Sequence, residues 1–143
     1  MNVEESIVIQ VPCEKLFDYL TDVNNRSQYI PALEEVVMID EGPIEEGSRY
    51  IEVSTIAGRR LETTYQVTSF ERNRRITAQT LKSIFPIKVD LLFYDRDSYT
   101  TLNIELDFEL KGIFRLASGV VRGIVRQQAK DILMNMKRSV ENI

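Results

Sequence analysis

Apolar and polar positions alternate over the first dozen residues. In VEESIVIQV, Val3, Glu5, Ile7, Ile9 and Val11 share one face and Glu4, Ser6, Val8 and Gln10 the other, which is the period-2 signature of a strand, and Pro12 ends it. The period then changes. CEKLFDYLTD places Leu16, Phe17 and Leu20 on one helical face, and NNRSQYIPAL predicts a second short helix stopped before Pro31. From residue 34 the chain returns to alternating runs split by turn residues: EEVVMID, SRYIEVSTI, LETTYQVTSF, RITAQTL, IKVDLLFY and YTTLNIELDFEL. These predict antiparallel hairpins. In the last run Leu102, Ile104, Leu106, Phe108 and Leu110 oppose Asn103, Glu105, Asp107 and Glu109, so one sheet face is expected to be buried and the other wet.

The longest stretch with helical periodicity is GIFRLASGVVRGIVRQQAKDILMNMKRSV, residues 112–140. At about 100° per residue from Ile132, the residues Val121, Val125, Gln128, Ala129 and Met136 fall within about 60° and form the expected buried stripe. Gly119 and Gly123 fall on the opposite face, at about 140° and about 180°, with Leu116, Gln127 and Met134 nearby. Two poor helix formers one turn apart leave three readings open: a soluble contact surface, a half-helix soft enough to act as a gate, or incidental surface glycine. Arg122, Arg126 and Lys130 exclude a membrane-spanning dimer built on this step. The order strand, two helices, about six strands and a long helix predicts an α+β domain whose curved sheet buries its apolar face against the final helix.

Composition narrows the chemistry. A chain of 143 residues fits one domain, 1–143, with a core of ordinary size. The net charge of -4 offers no general attraction to a polyanion, so no nucleic-acid partner is expected. The acidic start MNVEESIVIQVP lacks the basic residues of a signal peptide, and no apolar run approaches the ~20 residues that span a bilayer. A cytoplasmic protein without an integral membrane segment is therefore expected. There is no histidine and one cysteine, Cys13, which excludes Ser-His-Asp and Cys-His sites, imidazole-based metal centres and an internal disulfide. No cofactor or metal is implied.

Hairpin turns alternate between the two ends of such a sheet. One end collects residues 57–60, 82–86 and 112–114, including Ile84, Phe85, Ile113 and Phe114; the other collects residues 71–74 and 95–98 and is almost wholly charged. Apolar side chains at loop tips require cover, so Ile84, Phe85 and Phe114 either cap the core or form the rim of a portal, with transient membrane contact possible there. Arg72, Arg74 and Arg75 resemble a phosphate-binding patch, but Arg59 and Arg60 belong to the opposite end and Asp95 and Asp97 share theirs. A solvated, salt-bridged rim is the expected outcome.

The sequence resembles the polyketide cyclase/dehydrase and lipid-transport family of the START and Bet v 1-like superfamily. The resemblance rests on VPCEKLFDYLTDVNNRSQYIPAL, on EEGSRYIEVSTIAGRRLETTYQVTSFERNRRI and on the C-terminal LMNMKRSVEN, and it covers almost the whole chain. Tyr29 stands where tryptophan is frequent, and ERNRR lacks a common proline. The resemblance implies a helix-grip fold with a ligand cavity between the sheet and the last helix, its mouth at the Phe85 end. It leaves the chemistry open, because fold does not dictate function.

Within that frame the expected cavity lining is Thr63, Tyr65, Phe93, Leu106, Phe108, Val121, Val125, Gln128 and Ile132, with Thr63, Tyr65 and Gln128 as its polar members. The facing of RYIEVSTI is ambiguous. If Tyr50 and Glu52 point inward, desolvation makes Glu52 the best acid-base candidate, with Tyr65 beside it. Cys13, near a helix start, is either a thiol of lowered pKa or a small buried residue, and Tyr19 and Tyr29 either pack or close the grip. Three functions follow: binding or transport of a small hydrophobic ligand (lipid, sterol, polyketide or aromatic metabolite), a cofactor-independent cyclase/aromatase, or an interaction module using the outer face of the last helix, as monomer or homodimer.

Overall fold

The computed structural model describes residues 1–143 apart from Ala57, Ile84 and the side chain of Ile56. The chain runs β1 (Asn2–Ile9), α1 (Cys13–Thr21), a 3-10 turn (Val23–Asn25), α2 (Arg26–Tyr29), β2 (Leu33–Met38), β3 (Arg49–Ile56), β4 (Arg59–Glu71), β5 (Arg75–Lys82), β6 (Ile87–Asp95), β7 (Thr100–Phe108), a 3-10 segment (Gly112–Ala117) and α3 (Ser118–Glu141). The seven strands form one antiparallel sheet in the order β1-β7-β6-β5-β4-β3-β2. This is the helix-grip α+β fold. The first two strands lie at opposite edges, and α1 and α2 carry the chain between them.

The core concentrates at one side of the grip. Phe17 of α1 is fully buried and meets Phe70 and Phe93 edge to face at 5.3 Å and 5.1 Å. Large side chains buried this completely each contribute about 1.5–3 kcal/mol. The α3 helix packs on β1 and α2 and not directly on the middle strands β4 to β6. That off-centre seat leaves a space between α3 and the middle strands, which α1 covers on one side through Phe17.

Two expectations about the last helix need correction. The α-helix begins at Ser118; Gly112, at φ 63°, turns the chain, and residues 112–117 wind as 3-10. The buried face is Ala129, Leu133, Met136 and Val140, centred about 70° from Ile132, because the helix presses on β1 rather than on the sheet centre. Val121, Val125 and Ile132 are consequently half-buried. Neither glycine packs, since a Cβ added at Gly119 or Gly123 would meet nothing within 4 Å.

Candidate functional site

The space left by α3 is a cavity of about 260 Å³. That equals the liquid share of roughly nine waters, or one small organic molecule. Its floor is Tyr50 and Glu52 of β3, Tyr65 and Val67 of β4, Ile76 and Ala78 of β5, Ile87, Val89 and Leu91 of β6, and Ile104 and Leu106 of β7. Its roof is Val125, Gln128, Ala129, Ile132 and Met136 of α3, joined by residues of α1, α2 and Ile44 of the β2–β3 loop. Most of this wall is aliphatic. The two charged members are Arg26 and Glu52.

These two charges neutralise each other. The Arg26 guanidinium donates to a Glu52 carboxylate oxygen, and both side chains are largely buried. Arg26 also lies 5.0 Å from the centre of the Tyr50 ring, which stacks at 5.5 Å on Tyr65 through the register pair Tyr50↔Tyr65. Burial works against the charge of Arg26, yet Tyr50, Glu52 and Tyr29 together hold it more firmly protonated than a free arginine. Burial also pushes the Tyr29 phenol up to about 12, against the opposing pull of Arg26. The Tyr50 and Tyr65 phenols are raised by the same desolvation. All three therefore stay neutral donors at physiological pH.

The Arg26 Nε–H is buried with no hydrogen-bond partner among the described residues. The Tyr65 side chain lines the cavity beside it. A buried unpaired donor of this kind costs about 1–3 kcal/mol.

The sequence-predicted lining divides into two groups. Tyr65, Leu106, Val125, Gln128 and Ile132 line the cavity; Thr63, Phe93, Phe108 and Val121 do not. Thr63 pairs with Glu52 one step beyond Tyr65 toward the hairpin tip, and Val121 lies one turn beyond Val125. Phe93 is consumed by packing on Phe17, and Phe108 is buried where the Met1 backbone clamps it to β1. Glu52, whose facing the sequence left open, lines the cavity as half of an ion pair with Arg26.

Arg26, Ile44, Ile76 and the small Ala78 are among the lining residues that pattern reading missed. Arg26 is the one charged residue in NNRSQYIPAL, which was a signal, but its partner is 26 positions away.

The other singled-out residues have structural roles here. The Tyr19 hydroxyl donates to Gln28 Oε1 at 2.5 Å, and the rings of Tyr19 and Tyr29 meet edge to face. The Cys13 thiol is buried, donates to the Asn73 carbonyl at 3.4 Å and is raised in pKa by burial and by Asp95, the reverse of an activated thiol. Arg72 pairs with Asp18 at 2.8 Å and Glu14 at 3.7 Å of α1, not with Asp95 or Asp97. Arg75 and Thr77 bind Asp90. Among the described residues no group of three or more His, Cys, Asp or Glu side chains converges to hold a metal.

At the sheet end anticipated as a portal, the rings of Phe85 and Phe114 touch edge to face at 5.3 Å and are both half-exposed. Neither lines the cavity, and Ile84 lies outside the described residues.

The fold recurs in solved structures. A protein from Thermus thermophilus superposes with a TM-score of 0.83 at 16% identity, over 99% of this chain and 98% of that one. The Zhui aromatase/cyclase from a Streptomyces species gives 0.77 at 16% identity, over 99% and 93%. A START superfamily protein from Mycobacterium smegmatis gives 0.80 at 14% identity, over 99% and 97%. At such identities the likeness is one of fold. No curated protein matches the chain. The family model for polyketide cyclase/dehydrase and lipid transport matches residues 1–141, and the chain belongs to that family.

Proposed function

We propose that this family member binds one small, mostly apolar molecule in the cavity, with an acceptor oxygen of the ligand at the polar end formed by Arg26, Tyr50 and Tyr65. The observation that supports this reading is the pairing of an aliphatic space of about 260 Å³ with one buried polar end. Apolar walls supply affinity through desolvation, and the few polar groups fix orientation. The cavity lacks unbalanced charge, so a neutral ketone, phenol or hydroxylated aromatic fits it better than a free carboxylate, which would face Glu52 as well as Arg26. Entry is proposed at the Phe85/Phe114 end, past Thr63 and Val121. Titration with matched neutral and anionic ligands tests the reading; failure of every member of the panel to bind removes it.

A second reading is an aromatase/cyclase-type enzyme. It is favoured by the convergence of a carboxylate, a guanidinium and two phenols on one face, which supplies a proton acceptor, a donor and a cation for a developing oxyanion. Glu52→Gln and Tyr65→Phe separate the readings: turnover falls by about 100-fold or more in the enzyme case, while a carrier has no turnover to lose and keeps its ligand.

A further inference from the structure

We propose that residues 112–124, with the Phe85 tip, dock this protein on an anionic lipid surface. Between Glu109 and Asp131 the chain carries five bases, Lys111, Arg115, Arg122, Arg126 and Lys130, and no acid, in a molecule of net charge -4. Arg126 is held by Glu5 at 2.9 Å, whereas the other four have no ion-pair partner among the described residues. The same stretch exposes its large apolar side chains: Ile113 is 78% exposed, Leu116 92% and Val120 68%. Exposure of this kind around basic residues marks an interaction site rather than ordinary surface.

The arrangement is ordered. Val120 and Ile124 continue along the outer face of α3 at the four-residue spacing begun by Leu116 of the 3-10 segment, and of the helix's bases Lys130 lies about 80° to one flank of that stripe, whereas Arg122 lies about 160° away. Phe114 meets Phe85, so the 3-10 segment and the β5–β6 tip form one apolar protrusion. An interfacial helix has this division, with apolar side chains sunk below the headgroups and bases at phosphate level.

Charge decides between occupants. A two-fold contact with a second copy would set the unpaired bases of each copy against those of the other. A lipid phosphate layer neutralises them instead, and each base near such a surface strengthens partitioning about fivefold. The proposal is independent of what the cavity holds.

Sedimentation with vesicles of phosphatidylcholine and phosphatidylglycerol at 7:3, against phosphatidylcholine alone, tests it. The protein is expected to sediment with the anionic vesicles only. Leu116→Asp with Val120→Asp should lower that partitioning at least tenfold, and Arg115→Gln with Lys130→Gln about 25-fold, in proteins whose circular dichroism is unchanged. Arg74→Gln, at the opposite end, should leave it unaltered. Absence of partitioning, equal partitioning by the Leu116/Val120 variant, an equal loss with Arg74→Gln, or a dimer that this variant abolishes would each overturn the proposal, the last by showing a second copy to be the occupant.

Discussion

Arg26 of α2 and Glu52 of β3 form an ion pair inside the grip, where it is the only charge on an otherwise neutral cavity wall among the described residues. It joins the helical connection to the sheet and supplies the cavity with its polar end.

Breaking this pair from one side should cost more than removing it. Arg26→Met alone leaves Glu52 buried without its cation, a loss of about 3 kcal/mol or more, whereas Arg26→Met with Glu52→Met should recover much of that. Chemical denaturation of the two single variants and the double variant measures the difference. A loss in the double variant equal to the sum of the two single losses would show that the pair contributes nothing as a pair.

The buried phenols predict a fall of stability at high pH. Their folded pKa values lie above the usual phenol value of 10, Tyr29 at about 12, so the folded state holds protons that the unfolded chain releases first. The stability associated with them is fully present below pH 10 and is lost as pH rises toward 12. Unfolding free energies across that window should fall, and fall less steeply in Tyr65→Phe.

Asp90 works in the opposite direction. Burial alone would raise its carboxyl pKa, but hydrogen bonds from Arg75 and Thr77 hold it below the usual aspartate range. Its contribution is present above pH 3.8 and disappears as pH falls through the lowered value. Asp90→Ala should cost about 2 kcal/mol at pH 7 and flatten the acid limb of the stability profile.

The glycine step gives a prediction of the other sign. Because an added methyl meets nothing within 4 Å, Gly119→Ala with Gly123→Ala should stabilise α3 by up to about 1 kcal/mol per site. If this half of the helix gates the cavity, ligand dissociation slows while affinity is unchanged. Thermal unfolding and stopped-flow displacement read the two effects separately.

The architecture was legible because its signals are local. Alternation from Leu102 to Leu110 and the helical period of 112–140 each follow from neighbours in sequence, as does the sorting of hairpin tips. The cavity was legible only in part. Tyr65 and Leu106 sit on β4 and β7, and alternation alone placed them on the concave face. Phe93 and Phe108 share that face, but whether they line a space or fill it depends on Phe17 and on Met1, from distant parts of the chain. The rotation of α3 toward β1 was hidden because a helical wheel gives a stripe but not the neighbour that selects its centre. Arg26 escaped for the same reason: its meaning comes from Glu52.

The most direct test of the cavity reading is a fluorescence titration with prodan, a neutral naphthyl ketone whose emission shifts to the blue in apolar surroundings. The native protein should give a saturable, blue-shifted 1:1 signal, and Ala78→Phe, which projects a ring into the space beside Ile76 and Val89, should weaken it at least tenfold without loss of fold. No saturable signal from the native protein, or an equal one from Ala78→Phe, would contradict a ligand held between the sheet and α3.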